Sequence, residues 1–80
     1  METNGQKYDN AFIESFSVKK EDLENLVYQG IEEWDSVGHM GLINILEETF
    51  SIMLETDDII DFSSYKKGKE ILKKNYGIDF

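Results

Sequence analysis

The apolar residues of this chain recur at three- and four-residue intervals, and no stretch alternates apolar with polar residues as a half-buried strand does. Helices therefore have to form the fold. The sequence contains neither proline nor cysteine, so no disulfide and no thiolate metal site can stabilise it. Because 40% of its 80 residues are hydrophobic, it can build one small core. We predict a single all-α domain over residues 1–80, with a frayed N-terminus at residues 1–6.

The sequence also predicts the surroundings in which the chain works. No apolar run approaches the ~20 residues that span a membrane, and the polar residues 1–10 lack the apolar segment of a signal peptide. We expect a cytoplasmic monomer that does not insert into membranes. Seventeen acids against eight lysines give a net charge of −9, which repels nucleic acid and favours partners with basic surfaces.

The lysines are concentrated at one end of the sequence. Residues 65–80 hold five of the eight lysines and two of the seventeen acids. On an acidic protein we expect these lysines to be solvated or paired with its own acids, not to form a binding patch. They are Lys66, Lys67, Lys69, Lys73 and Lys74.

Three main helices and one short helix are predicted, with a long connection after the first helix. The helices cover about residues 7–16, 35–50, 57–61 and 65–75. The connection is residues 17–35, and a loop of this length is often functional. Ser63 or Ser64 is a suitable cap for the last helix, and Gly77 is a natural stop. The apolar residues that can fix the connection to the core are Val18, Leu23, Leu26, Val27 and Ile31.

The second predicted helix has two different faces. At about 100° per residue, one stripe is largely apolar and should face the core. This stripe contains His39, Leu42, Ile43, Leu46 and Phe50. The other face combines apolar groups with carboxylates, which suits a surface that docks another protein. That face contains Val37, Met40, Gly41, Asn44, Glu47 and Glu48.

Asp35 and Ser36 begin this helix, directly after the long connection. A serine at the first residue of a helix is exposed and fixed in position, and the helix N-terminus favours a phosphate group through its free N–H groups and dipole. The hydroxyl could therefore carry a phosphodiester-linked group. On local signals alone, capping of the helix by Asp35 or Ser36 is the favoured explanation of the pair, because such caps are common.

The wider context resembles a known family. The sequence Asp35-Ser36-Val37, followed by Met40 and Leu42, is similar to the phosphopantetheine attachment motif of the acyl and peptidyl carrier proteins. In that family an aliphatic helix follows, ending in two acids and an aromatic residue, as residues 42–50 do here. Residues 51–61 look like the family's connection and short third helix, and residues 62–65 look like the start of its fourth. The resemblance covers about residues 8–75.

The resemblance implies a four-helix bundle that is a carrier and not an enzyme. Ser36 would receive 4'-phosphopantetheine from coenzyme A through a magnesium-dependent phosphopantetheinyl transferase, and Asp35 would be recognised by that transferase. The terminal thiol of the arm would hold an acyl or aminoacyl group as a thioester. Acyl- or aminoacyl-loading and -transfer enzymes with basic patches would dock on one surface. Its residues would be Val37, Met40, Asn44, Glu47, Glu48, Asp57, Asp58 and Asp61.

Two glycines depart from the family pattern. Carriers of fatty acid synthesis usually have acids at the positions of Gly38 and Gly41, so this docking face is less charged at its start. The departure indicates a specialised carrier in a dedicated pathway. Trp34 is similar to the residue before the motif in some stand-alone carriers, including those that load amino acids such as D-alanine.

Other interpretations use the same residues. Asp35, Ser36 and His39 could suggest a hydrolytic triad, but Ser36 and His39 are one helical turn apart and no oxyanion hole is evident. A histidine in the core is the simpler interpretation, and one bordering the arm or its cargo is a further one. The acids at 57, 58 and 61 lack the ligand spacing of a calcium loop. The main alternative function is an unmodified acidic helical module that binds other proteins.

Overall fold

Helices provide the regular structure of the chain. The computed structural model describes residues 2–80, and its elements, in order, are α1 (Asn4–Phe16), a 3-10 helix (Lys20–Asn25), α2 (Ser36–Phe50), α3 (Thr56–Asp61) and α4 (Tyr65–Tyr76). Within residues 2–80 no strand forms, and the extended pairing is one isolated bridge between Val27 and Ser64. The predicted all-α class is therefore confirmed. Over the same residues, no helix combines the length and the apolar character needed to cross a membrane.

The first helix begins earlier than predicted. Thr3 caps α1, because its hydroxyl accepts a hydrogen bond from the Gln6 N–H while the Gln6 side chain accepts one from the Thr3 N–H. This reciprocal capping box stabilises the first turn. Asn4 adds a tie to the other end of the chain, since its side-chain amide donates to the Asp79 carbonyl at 2.9 Å. Residues 4–6 are thus helical, and the prediction of a frayed segment is wrong for them; Met1 lies outside the described residues.

The long connection after α1 is anchored by a few side chains. Leu23, in the 3-10 helix, and Leu26 are buried as predicted, and Val18 and Ile31 are partly buried against the core. Val27 was predicted to pack inward, but 48% of it is exposed. The reason is that residues 26–28 run extended beside residues 63–65, with backbone hydrogen bonds between them. Successive side chains of an extended segment point to opposite sides, so a buried Leu26 turns Val27 outward.

An aromatic cluster forms part of the core, with Phe12 of α1 at its centre. The Phe12 ring lies within about 6 Å of five other aromatic rings, a spacing at which edge and stacked contacts stabilise a core. These rings belong to Tyr8, Phe16, Trp34, Phe62 and Tyr65. The apolar stripe of α2 completes the core opposite α1, with Leu42, Ile43 and Leu46 fully buried.

Capping residues at both ends and one internal glycine determine the position of the last helix. Ser64 caps α4 by accepting from the Lys67 N–H, and Gly77 ends it in the left-handed conformation, with φ of 67°. Gly68 lets the helix lie directly on the Phe62 ring, because a Cβ at this position would come within 2.1 Å of the ring. Phe62 is fully buried beneath it.

Candidate functional site

Asp35 caps the start of α2, and the side chain of Ser36 takes no part in this cap. Asp35 Oδ1 accepts a hydrogen bond from the Gly38 N–H at 2.8 Å, and Ser36 is the first residue of the helix. Ser36 is exposed, so its hydroxyl is open to a reagent or an enzyme. The first N–H groups of any helix lack partners inside it and create a positive end. Asp35 therefore orders the first turn, and Ser36 presents a hydroxyl at the positive end of a 15-residue helix.

Gly38 has a packing role that the sequence did not reveal. A Cβ built at Gly38 would lie 2.0 Å from the backbone carbonyl oxygen of Glu33, so the connection passes closer to α2 than any side chain allows. At Gly41, by contrast, a Cβ would meet nothing within 4 Å. The two glycines that depart from the family pattern are therefore not equivalent. Gly38 lets the segment before Ser36 lie directly on the first turn of α2, and Gly41 faces open space.

His39 joins three segments around the site. The indole Nε1–H of Trp34 donates to His39 Nδ1 at 2.9 Å, and His39 Nε2 lies 2.8 Å from the carbonyl oxygen of Ile59 in α3. Because an indole can only donate, Nδ1 must accept, and the ring proton is then on Nε2, which donates to the carbonyl. His39 is 9% exposed and lies in the core, as its stripe predicted.

These contacts argue against a triad at this helix terminus. A general base needs a free ring nitrogen within hydrogen-bond reach of the nucleophile. Both ring nitrogens of His39 are occupied by Trp34 and Ile59 instead. Asp35 is not oriented toward the ring either, since its carboxylate caps the Gly38 N–H. The arrangement offers a hydroxyl that a separate enzyme could modify, without a base of its own beside it.

A surface cavity of about 250 Å³ lies beside His39, between α2 and α3. Its lining is mostly apolar, and the buried ring of Phe62 contributes to it. The complete lining is Tyr28, His39, Ile59, Ile60, Phe62 and Ser63. The side of α2 that carries His39 and the short α3 therefore border a recess on the helix that bears Ser36.

The residues predicted to dock a partner fall into two groups. Val37 is 79% exposed and Met40 is 47% exposed, and Ile60 of α3 adds an exposed apolar group at 72%. The remaining exposed members of the predicted set are polar or acidic. They are Asn44, Glu48, Asp57 and Asp61. An exposed apolar surface flanked by carboxylates is typical of a site that binds a partner with apolar and basic groups.

The other two acids of the set, Glu47 and Asp58, are bonded within the chain. Glu47 Oε2 accepts from the Leu54 N–H at 2.9 Å and so fixes the loop after α2. Asp58 accepts from the Asn75 side-chain amide at 3.0 Å and from the Tyr76 hydroxyl at 2.7 Å, which ties α3 to α4. Loss of water around the Tyr76 phenol raises its pKa, and the bond to Asp58 adds to this, against a lowering by the Glu55 N–H. Both acids have structural partners that their sequence positions did not indicate.

The remaining acids and the histidine do not gather into a metal site within residues 2–80. Among residues 2–80, no three His, Asp or Glu side chains converge where they could hold a metal ion. Lys69 lies over the rings of Tyr65 and Phe80, at 5.7 and 5.3 Å from their centroids. The other four lysines of α4 are exposed to solvent.

Comparison with known proteins adds no relative. No protein-family model matches this chain, and no curated protein is similar enough to count as related. The resemblance to carrier proteins therefore rests on the residues themselves: the Asp35-Ser36 pair, the helix that it starts, and the acids beyond that helix.

Proposed function

We propose that this chain is a carrier of the acyl or peptidyl carrier type, with a 4'-phosphopantetheine arm attached to Ser36. The observation that carries the proposal is the exposed Ser36 hydroxyl at the first residue of α2, on a turn already ordered by Asp35. When attached, the arm supplies a terminal thiol that can hold an acyl or aminoacyl group as a thioester. The chain would then act as a non-catalytic cosubstrate, which raises the effective concentration of a tethered group at its partner enzymes.

The site fits such a phosphodiester in its geometry. The Ser36 side chain reaches solvent, and the helix terminus beneath it favours negative charge. On attachment, the Ser36 oxygen bonds to the phosphorus that links phosphopantetheine to the rest of coenzyme A. The bond from that phosphorus to adenosine bisphosphate breaks, and the hydroxyl proton passes to a base on the transferase. The base has to come from the transferase because both ring nitrogens of His39 are occupied.

The helix arrangement is consistent with a four-helix carrier bundle, in which α3 is the short helix and the long first connection precedes the attachment point. The absence of acids at positions 38 and 41, where the chain has glycine, supports a specialised carrier whose docking face is less acidic than that of general fatty acid carriers. We propose as partners a phosphopantetheinyl transferase and enzymes that load or remove the acyl or aminoacyl group.

The first test is transfer itself. The purified chain is incubated with a broad-specificity phosphopantetheinyl transferase, coenzyme A and magnesium, and its intact mass is measured. We expect one phosphopantetheine per chain, located by peptide mapping at Ser36 and at none of the other five serines. An unchanged mass, under conditions that convert a known carrier completely, would support the alternative of an unmodified acidic protein-binding module.

We expect substitutions of the neighbouring acids Glu47 and Glu48 to affect transferase binding to different extents. Glu48→Lys should reduce transferase efficiency at low salt by about fivefold, since an exposed charge pair contributes roughly 1 kcal/mol. The reduction should appear in KM and fade as salt rises, because exposed charges are screened. The melting temperature should be unchanged, because Glu48 is exposed.

Glu47→Ala is the matched control for this measurement. It removes the acceptor of the Leu54 N–H, so it should cost about 1 kcal/mol of stability. Its effect on KM should be smaller than that of Glu48→Lys. Equal KM values for Glu48→Lys and the unaltered chain at low salt would remove Glu48 from the docking surface.

A further inference from the structure

Gly41 weakens α2 without a reason inside the chain. Four other glycines are required where they lie, because a Cβ would come closer than 3.0 Å to another atom at three of them and the fourth has a positive φ of 67°. They are Gly30, Gly38, Gly68 and Gly77. Gly41 lies inside the 15-residue helix α2, and a Cβ there would meet nothing within 4 Å. A glycine inside a helix is less stable than an alanine, so the position costs stability and the fold gains no contact from it.

Gly41 lies on the side of α2 that faces away from the core. At about 100° per residue it shares one exposed row of the helix with Val37, Asn44 and Glu48, and the buried residues of α2 are on the opposite side. A side chain at position 41 would lean toward the preceding turn, where Val37 is 79% exposed. Its absence leaves a hollow over bare helix backbone, between an apolar group and polar ones.

The hollow at Gly41 suits an apolar side chain from another molecule. Glycine is the residue that lets a backbone be approached closely from outside. Val37 supplies one apolar wall, and Met40, which is 47% exposed, adds a flexible apolar group beside Val37. Asn44 and Glu48 continue the row as a polar border. An apolar centre with a polar border is the usual composition of a surface that binds another protein.

The charge around the hollow indicates what kind of partner fits it. Glu48 follows Gly41 by seven residues, which places its exposed carboxylate about 10 Å further along the helix. The net charge of the whole chain is −9. A partner with a basic group beside its apolar one is therefore complementary. A second copy of the chain would set acids against acids, and an anionic membrane surface would be repelled for the same reason.

We propose that Gly41 is a contact for partner proteins, at which the partner places one bulky apolar side chain directly on the backbone of α2 and one basic group near Glu48. A side chain at position 41 would hold such a partner away from the helix. The inference rests on the proposed function, since the partners are the transferase and the enzymes that load or remove the group on Ser36. It adds to that function a position that selects partners by shape as well as by charge.

The test measures the KM of the chain in the transfer reaction with the broad-specificity phosphopantetheinyl transferase, coenzyme A and magnesium. Gly41→Ala should raise KM roughly five- to tenfold, and Gly41→Leu more, because added methyl groups are costly in a packed contact. The increase should persist at high salt, since it does not depend on exposed charges. Both variants should melt at a higher temperature than the unaltered chain, because alanine and leucine are better helix formers than glycine. Weaker docking of a more stable chain cannot result from damage to the fold.

Gly5→Ala is the matched control for these variants. Gly5 lies in the first turn of α1, and a Cβ there would be 3.8 Å from Thr3 Oγ1, which is an ordinary contact. The other end of α1 is the one near Ser36, since Phe16 stacks on Trp34. The same substitution is thus made far from the docking row, and it should leave KM unchanged.

Gly41→Glu separates shape from charge. At high salt, where exposed charges are screened, its side chain should raise KM by filling the hollow. A KM at high salt equal to or below that of the unaltered chain would overturn the inference, as would unchanged KM values for Gly41→Ala and Gly41→Leu. A chain that the transferase leaves unmodified would instead contradict the proposed function, and would remove the partner from which the inference is drawn.

Discussion

Ser36→Ala is expected to abolish phosphopantetheine addition completely, because the variant lacks the hydroxyl that bonds to phosphorus. The fold should remain intact, since Asp35 makes the cap of α2 and Ser36 is exposed. Surface substitutions of this kind change stability by no more than about 0.5 kcal/mol. Intact mass after incubation with transferase and coenzyme A measures the first effect, and a thermal melt measures the second.

Ser63→Ala is the matched control. Ser63 is also exposed and lies just before a helix, but the cap of α4 is made by Ser64. The Ser63→Ala chain should therefore be converted as fully as the unaltered chain. Addition to the Ser36→Ala chain, or loss of addition in the Ser63→Ala chain, would place the attachment elsewhere.

Gly38→Ala is expected to destabilise the chain by about 1–3 kcal/mol, the usual cost of forcing an atom into a filled space. The added methyl group would meet the Glu33 carbonyl oxygen at 2.0 Å, and backbone atoms cannot rotate away as a side chain can. The segment before α2 has to move, and it carries Trp34 and Asp35. Transfer to Ser36 should therefore slow in the folded variant. Denaturant midpoints and transfer rates measure the two effects.

Gly41→Ala should change stability in the opposite direction. Its methyl group meets nothing within 4 Å, and alanine is about 1 kcal/mol better than glycine in a helix interior. The pair thus compares the same substitution, one turn apart on one helix, with opposite expected signs. A similar change in both variants would mean that helix propensity, and not the approach of Glu33, controls stability here.

Local signals were sufficient to predict α2 and the exposed position of Ser36. An acidic cap, a serine at the first turn and apolar residues at helical spacing are all contained within residues 35–50, so no distant contact is needed to recognise them. The end of α4 at Gly77 was predictable for the same reason, since glycine adopts the left-handed conformation without strain. The start of α1 was also contained in the sequence, because Thr3 and Gln6 have the spacing of a capping box.

The features that could not be predicted depend on residues far apart in the sequence. Asp58 was assigned to a docking surface, but its partner Asn75 lies 17 residues away on α4. Val27 was assigned to the core, and its exposure follows from a backbone pairing with Ser64. Gly38 was interpreted through its lack of charge, whereas its lack of a Cβ matters to Glu33. In each case the residue type can be read from the sequence, but the distant residue that it contacts cannot.

The position of Trp34 has a practical consequence. It is the one tryptophan of the sequence, it is fully buried, and its ring stacks on Phe16 at 5.2 Å. Indole emission depends on the polarity and hydrogen bonding of its surroundings, so a single natural fluorophore reports on two events. Global unfolding would expose it to water, and chemistry at Ser36 would occur two residues away. The chain thus contains its own optical probe at the junction where folding and modification meet.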